Sequence, residues 1–97
     1  MPIIIAGHVA VAADKRDTYV AAHADLVRRA RETPGCLDFA ISADPLDPGR
    51  VNTFERWESR EDLDAWRRVA RARRTGIRIR GGRVAEYPVE AEVPVFG

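Results

Sequence analysis

The segment Pro34–Trp66 decides the fold, and it reads PGCLDFAISADPLDPGRVNTFERWESREDLDAW. Pro34 and Gly35 predict the end of a preceding helix, and the residues after them alternate between apolar and polar, as in a half-buried strand. A turn rich in Asp, Pro and Gly covers residues 44–49. A second strand over residues 51–58 follows the turn, so the segment predicts an antiparallel hairpin.

A helix is predicted immediately after this hairpin. Ser59 and Asp62 form a near capping box, with Asp in place of the usual Glu. Apolar residues then recur at helical spacing, namely Leu63, Trp66 and Ala70. The pair Thr75–Gly76 predicts the end of this helix.

The segment before Pro34 predicts a strand and a helix. Residues 3–11 are a nearly continuous apolar run, typical of a strand buried on both faces. Asp14 is the predicted N-cap of the helix. One apolar stripe recurs along this helix and consists of Tyr19, Val20, His23, Leu26, Val27 and Ala30.

The remaining residues predict a last strand and complete the fold. Residues 77–82 form a linker or a short edge strand, and residues 84–89 form a strand that Pro88 restricts to an edge position. Residues 90–97 are predicted to be an extended tail. The order β-α-β-β-α-β predicts a ferredoxin-like α+β fold with an antiparallel sheet.

Composition sets broad limits on function. The chain has 97 residues, which predicts a single domain over 1–97, and its net charge of +1 gives no case for nucleic acid or an anionic membrane. Cys36 is the only cysteine, so an intrachain disulfide is excluded. No apolar run approaches the ~20 residues of a membrane span, and Met1–Ile5 does not resemble a signal peptide. The expected compartment is cytoplasmic.

Three short motifs, in this order and spacing, resemble the antibiotic biosynthesis monooxygenase (ABM) family of dimeric α+β barrel proteins. The motifs are PGCL at 34–37, DPLDP at 44–48 and FERWES at 54–59. The resemblance implies a homodimer in which one sheet face lies under the helices and the other against a second subunit. It also implies an oxygenase without metal or flavin, in which an electron-rich aromatic substrate reacts with oxygen in a closed pocket.

The same resemblance assigns candidate site residues. It places the pocket between sheet and helices and makes Trp57 a lining residue. Family oxidases of aromatic polyketides use an Asn four residues before this Trp, where this chain has Thr53; Asn52 is predicted on the opposite face. Haem-degrading relatives use a helical His, and many members carry a His where this chain has Trp66. Because no His follows His23, haem binding of that type is not expected.

His23 is the candidate catalytic residue, because an unperturbed pKa near ~6.5 suits a general base; a satisfied packed His is the alternative. Glu55 shares a strand face with Trp57, so burial would require a partner or a raised pKa, and an ion pair with an Arg is predicted. A phenol such as that of Tyr19 can bind a substrate or simply pack with its hydroxyl in water. The candidate substrate-binding residues are Trp57, Tyr19, Trp66, Glu55 and Thr53.

A basic cluster without an acidic residue extends from Arg67 to Arg83. Two interpretations of this cluster are open: it attracts an anionic ligand, or it is a helix face exposed to solvent. The solvent-exposed helix face is predicted. Residues 51–57 lack the glycine-containing run of an RNA-binding RRM strand, so RNA binding is not expected. Two His and one Cys disfavour a zinc site, and no cofactor is expected. Two functions stay open: a cofactor-independent monooxygenase and a non-catalytic dimeric module that binds a small ligand or partner.

Overall fold

The computed structural model describes residues 1–96, so Gly97, the last residue of the predicted tail, lies outside the described part. The elements in chain order are β1 (Ile3–Ala10), a 3-10 turn (Ala13–Lys15), α1 (Arg16–Ala22), α2 (Ala24–Arg31), β2 (Cys36–Ala43), β3 (Arg50–Trp57), α3 (Arg60–Val69) and β4 (Gly81–Pro88).

The four strands form one antiparallel sheet in the order β2-β3-β1-β4. This order confirms the predicted ferredoxin-like α+β fold, in which the hairpin strands β2 and β3 are neighbours and β4 returns beside β1. Pro88 ends β4, an edge strand, as its missing N–H requires. No helix in residues 1–96 is long and apolar enough to cross a membrane.

One face of the sheet lies under the helices, and the other face is open in the single chain. Trp57 pairs with Ile3 on the helix-facing side, whereas Phe54 pairs with Ala6 on the open side. These two aromatics therefore point to opposite faces of the sheet, as the alternation of side chains along a strand requires. On the open face Tyr87 is 48% exposed and Phe54 is half-buried, and the tail reaches this face through the Arg56–Glu92 ion pair at 3.0 Å.

The core lies between the helix-facing side of the sheet and the helices. Its buried residues are Ile3, Ile5, Ala30, Phe39, Trp57, Leu63 and Trp66. Burial of these side chains stabilises the fold by ~25 cal/mol per Å² of apolar surface removed from water. The strand and helix periods of the sequence thus converge on one core.

The hairpin turn between β2 and β3 is held by side chains. Asp44 accepts hydrogen bonds from the backbone N–H groups of Leu46 (3.0 Å) and Asp47 (2.8 Å), and one from the Asn52 side chain (2.9 Å). These donors lower the pKa of the Asp44 carboxyl to about 2. Asn52 lies on the open face opposite His8, as predicted, and is engaged by the turn.

The first predicted helix is interrupted. His23, with φ −95° and ψ 0°, ends α1 and begins α2, and its backbone departs from regular helical values. Asp14 makes no capping hydrogen bond and lies in the 3-10 turn, so its prediction as the N-cap is wrong. The apolar stripe nevertheless faces inward, since His23 and Ala30 are buried.

The second predicted helix is shorter than expected. Ser59 caps α3 by accepting a hydrogen bond from the Asp62 N–H at 3.2 Å, which confirms the predicted helix start. The helix ends at Val69 because Ala70 is extended, with φ −64° and ψ 129°, so the predicted end at Thr75–Gly76 is wrong. The basic cluster after Val69 is consequently an irregular segment over residues 70–80 and not a helix face.

Candidate ligand site on the helix-facing side of the sheet

A carboxylate and an indole form the centre of the candidate site. Glu55 and Trp57 are two residues apart on β3, so their side chains leave the same face. Trp57 donates its Nε1–H to Glu55 Oε1 at 2.9 Å, and the Trp57 side chain is fully buried. Among residues 1–96, Glu55 makes no ion pair, so the predicted Arg partner is wrong and the indole N–H takes its place.

Burial dominates the electrostatics of Glu55. Desolvation raises the pKa of its carboxyl above the ordinary value, because the charged form loses hydration in the half-buried site. The Trp57 hydrogen bond and the positive charge of Arg67 oppose this shift, and the negative charge of Glu86 adds to it. The site therefore contains a carboxyl group with a raised proton affinity.

A second carboxylate on β4 is neutralised by arginines from α3. Glu86 accepts hydrogen bonds from Arg60 (2.8 Å) and Arg67 (2.7 Å). These two donors lower the pKa of Glu86 to about 2. This cluster was not predicted from the sequence, although Arg60 and Arg67 lie seven residues apart, a spacing that places both on one face of a helix.

The strand register places the two carboxylates in one row across the sheet. Ile5 pairs with Glu55 on one side and Glu86 on the other. In the next row, Gly7 pairs with Thr53 and Val84. Glycine leaves bare backbone at this position.

Gly7 is required by the closeness of β4. A Cβ built on it would lie 1.9 Å from the carbonyl oxygen of Arg83, and its φ is +152°. The flanking side chains leave this part of the sheet accessible, since Thr53 is half-buried and Val84 is 45% exposed. In the row next to Glu55, the Gly7 backbone is therefore partly accessible on the helix-facing side.

The second predicted indole completes the aromatic part of the core. Trp66 stacks on Trp57 with ring centroids 6.1 Å apart and an interplanar angle of 26°. Phe39 meets Trp66 edge-on at 6.0 Å, and the Arg29 guanidinium lies 5.9 Å from the Trp66 ring. Trp66 is only 5% exposed. Both indoles thus pack closely inside the protein.

His23 and Tyr19 form a separate pair at the end of α1. Their ring centroids lie 4.3 Å apart, and His23 Nδ1 lies 2.7 Å from the Tyr19 carbonyl oxygen. A carbonyl oxygen only accepts, so Nδ1 is the donor and a neutral ring keeps its lone pair on Nε2. No residue within 1–96 hydrogen-bonds Nε2. Burial raises the pKa of Tyr19, which keeps its phenol protonated.

An open groove of about 570 Å³ lies elsewhere, between α1, α2 and the edge strand β2. Apolar side chains line it together with charged residues at the end of α2. The lining residues are Val20, Ala21, Ala24, Val27, Arg28, Arg31, Glu32 and Ile41. None of the six predicted site residues lines this groove. Residues 1–96 contain no group of three or more His, Cys, Asp or Glu side chains placed to hold a metal ion.

The chain belongs to the antibiotic biosynthesis monooxygenase family, because the model of that family matches residues 2–75. An uncharacterized protein of Synechocystis sp. is 30% identical over 63 residues, which make up 65% of this chain and 43% of that protein. The matched region thus spans less than half the length of this relative.

Solved structures share the fold at low sequence identity. A Nitrosomonas europaea protein assigned to the antibiotic biosynthesis monooxygenases is 18% identical with a TM-score of 0.73, covering 92% of this chain and 90% of its own. A Mycobacterium tuberculosis heme-degrader, solved with two hemes bound in its active site, is 20% identical with a TM-score of 0.68, covering 95% and 99%. At these identities the likeness concerns the fold alone.

Proposed function

We propose that this protein is a cofactor-independent monooxygenase that acts on a small aromatic or polyketide-like molecule. The observation that supports this function most is membership of the ABM family over residues 2–75. In the proposed reaction one atom of dioxygen enters the substrate and the other leaves as water. The substrate itself supplies both electrons, so neither metal, flavin nor haem is needed.

His23 acts as the general base in this proposal. Its Nδ1–H is bound to the Tyr19 carbonyl, which fixes the ring and leaves the Nε2 lone pair for a substrate proton. His23 is buried, with 8% of its surface exposed, and its Nε2 has no hydrogen-bond partner among residues 1–96. The deprotonated, electron-rich substrate then reacts with dioxygen.

The substrate would bind between the sheet and the helices, over the accessible floor at Gly7. Trp57 and Trp66 would support one end of this site from the core, and Thr53 and Tyr19 would add hydroxyl groups. An aromatic contact contributes ~0.5–1.5 kcal/mol beyond area burial. In a homodimer, the open sheet face with Phe54 would be covered by the second subunit, which closes the barrel.

A non-catalytic dimeric module that binds a small ligand or partner is the second candidate. The close packing of the two indoles favours it, since Trp57 has no exposed surface and Trp66 is 5% exposed. Side chains packed in this way serve mainly to stabilise the hydrophobic core. A ligand in such a module would occupy the floor at Gly7 without any proton transfer to His23.

Oxygen uptake tests the proposal directly. Purified protein is incubated with anthrone-like and catechol-like aromatics in an oxygen-electrode cell, and products are identified by mass spectrometry after incubation with ¹⁸O-labelled dioxygen. We expect uptake with at least one aromatic and one labelled oxygen atom in the product. Binding of the same aromatics without any uptake would favour the non-catalytic module.

A further inference from the structure

One oxygen of the Glu55 carboxylate has no partner. Oε1 accepts the Trp57 N–H at 2.9 Å, but no donor within residues 1–96 bonds Oε2. Among the side chains of residues 1–96 that are not exposed, one N or O atom is both sealed from solvent and without a hydrogen-bond partner, and it is Arg56 Nε. Glu55 Oε2 has no partner and is not that atom, so it keeps some contact with solvent. The Trp57 bond thus orients a carboxylate whose second oxygen makes no hydrogen bond to residues 1–96 on the helix-facing side.

The surroundings of Glu55 define which molecule fits. On one side, Trp57 orients the carboxylate. On the other, the neighbouring row of the sheet offers bare backbone at Gly7, flanked by Thr53 and Val84. A planar ring can lie over this floor with its edge toward Oε2.

We propose that Glu55 Oε2 accepts a hydrogen bond from a hydroxyl group of the aromatic ligand and thereby selects hydroxyaromatic ligands. The inference rests on the proposed function, because it places the ligand in the same site. Glu55 is then a specificity-determining residue, and it binds the hydroxyl without taking part in the reaction with oxygen.

The charges around the site support this selectivity. Glu86 on the neighbouring edge strand is occupied by Arg60 and Arg67, so it does not compete for the ligand hydroxyl. The buried Ile5 side chain stands between Glu55 and Glu86 in this row. The ring would therefore lie over the next row, at Gly7, and reach Glu55 with its hydroxyl. An ether in place of the hydroxyl has no proton to donate and would face a carboxylate that only accepts.

The test compares two probes that differ in one methyl group, 1-naphthol and 1-methoxynaphthalene. Their affinities for the whole protein are measured by calorimetry under nitrogen. We expect wild type to bind 1-naphthol about tenfold or more tightly, as for a hydrogen bond to a charged acceptor. Glu55→Gln should lose this preference, because its amide NH₂ can donate to a hydroxyl or a methoxy oxygen alike. Glu58→Gln, an exposed carboxylate just after β3, is the matched control and should keep it.

Three outcomes would overturn the inference: equal affinities in wild type, a preference that survives in Glu55→Gln, or no binding of either probe. The wild-type comparison decides even if Glu55→Gln does not fold. Since oxygen is excluded, the result is separate from catalysis. A preference for 1-naphthol without oxygen uptake would contradict the oxygenase activity but support the role of Glu55 in binding. Oxygen uptake without this preference would support the oxygenase activity but contradict the role of Glu55.

Discussion

Trp57 donates its indole N–H to the carboxylate of Glu55, two residues earlier on the same strand, at 2.9 Å. The bond joins a fully buried ring to a half-buried acid, so it belongs both to the core and to the candidate site. Because the N–H is neutral, it orients the carboxylate without cancelling its charge. Glu55 consequently keeps a raised pKa that an Arg partner would have lowered.

The stability of the protein should decline as pH rises through the titration of Glu55. Its raised pKa means that the folded state binds this proton more tightly than the unfolded chain does. The free energy of unfolding should therefore fall as the pH rises above 4.5, the ordinary pKa of a Glu carboxyl. Glu55→Gln should lack this decline, as seen in urea unfolding between about pH 4 and 8.

The charged and titratable groups near Glu55 are Arg67 from α3, Glu86 from β4 and the Cys36 thiol from β2. The thiol titrates at higher pH, because burial and the Glu55 and Asp38 charges raise its pKa. Glu58→Gln controls for the removal of a surface carboxylate and should follow wild type. Parallel curves for wild type and Glu55→Gln would contradict the prediction.

Glu86 should give the opposite pH dependence. Arg60 and Arg67 lower its pKa from 4.5 to about 2, so the stabilisation is present above 4.5 and is lost as pH falls toward 2. Glu86→Gln should therefore be less stable than wild type near neutral pH, with the difference shrinking in acid. Thermal unfolding across this range measures it. Glu90→Gln, an exposed carboxylate beyond β4, should show no such convergence.

The capping interaction of α3 should be measurable as stability. Ser59 Oγ accepts the Asp62 N–H at 3.2 Å and also lies 2.9 Å from the Asp62 carboxylate. Ser59→Ala should lower the free energy of unfolding by about 0.5–2 kcal/mol, as for other N-caps. Ser42→Ala on the exposed strand edge is the control in the same denaturant titration. Equal losses in both variants would remove the capping role.

The hairpin and the helix start could be predicted from sequence because both depend on neighbouring residues. The turn at 44–49 and the cap at Ser59 are local hydrogen-bond patterns, and the alternation of β3 fixes which residues share a face. Only Leu37 departs from the predicted strand: a bulge between Cys36 and Asp38 leaves it 43% exposed.

The wrong predictions concern positions whose conformation depends on contacts with residues distant in the sequence. No Gly or Pro marks the helix break at His23, and the Arg-rich residues after Val69 have good helical propensity, yet Ala70 is extended. The indole partner of Glu55 was also missed, although the i, i+2 spacing on one strand face was visible. Gly7 could be recognised as a special position only once β4 was seen to lie beside it.

The open sheet face should form a homodimer interface. Tyr87 is 48% exposed and Phe54 is half-buried on this face, and a chain of this size gains by burying such surface. Sedimentation velocity at micromolar concentration should give a dimer. Phe54→Asp should give monomer or insoluble protein, because dimerisation would bury an unpaired charge. Leu46→Asp, at a turn residue that is 91% exposed, should remain dimeric. A monomeric wild type would refute the interface.

His23 should be needed for turnover of any aromatic that proves to be a substrate. Its Nε2 carries the free lone pair, because Nδ1 is bound to the Tyr19 carbonyl at 2.7 Å. His23→Ala should lower kcat by ~10²-fold or more, the usual contribution of a general base. His8→Ala also removes an imidazole, but from the open face of β1 opposite Asn52, so it is compared in the fraction that sediments as a dimer. His23→Ala should sediment as wild type does. An unchanged rate in His23→Ala, measured by oxygen uptake, would assign the proton transfer to another group.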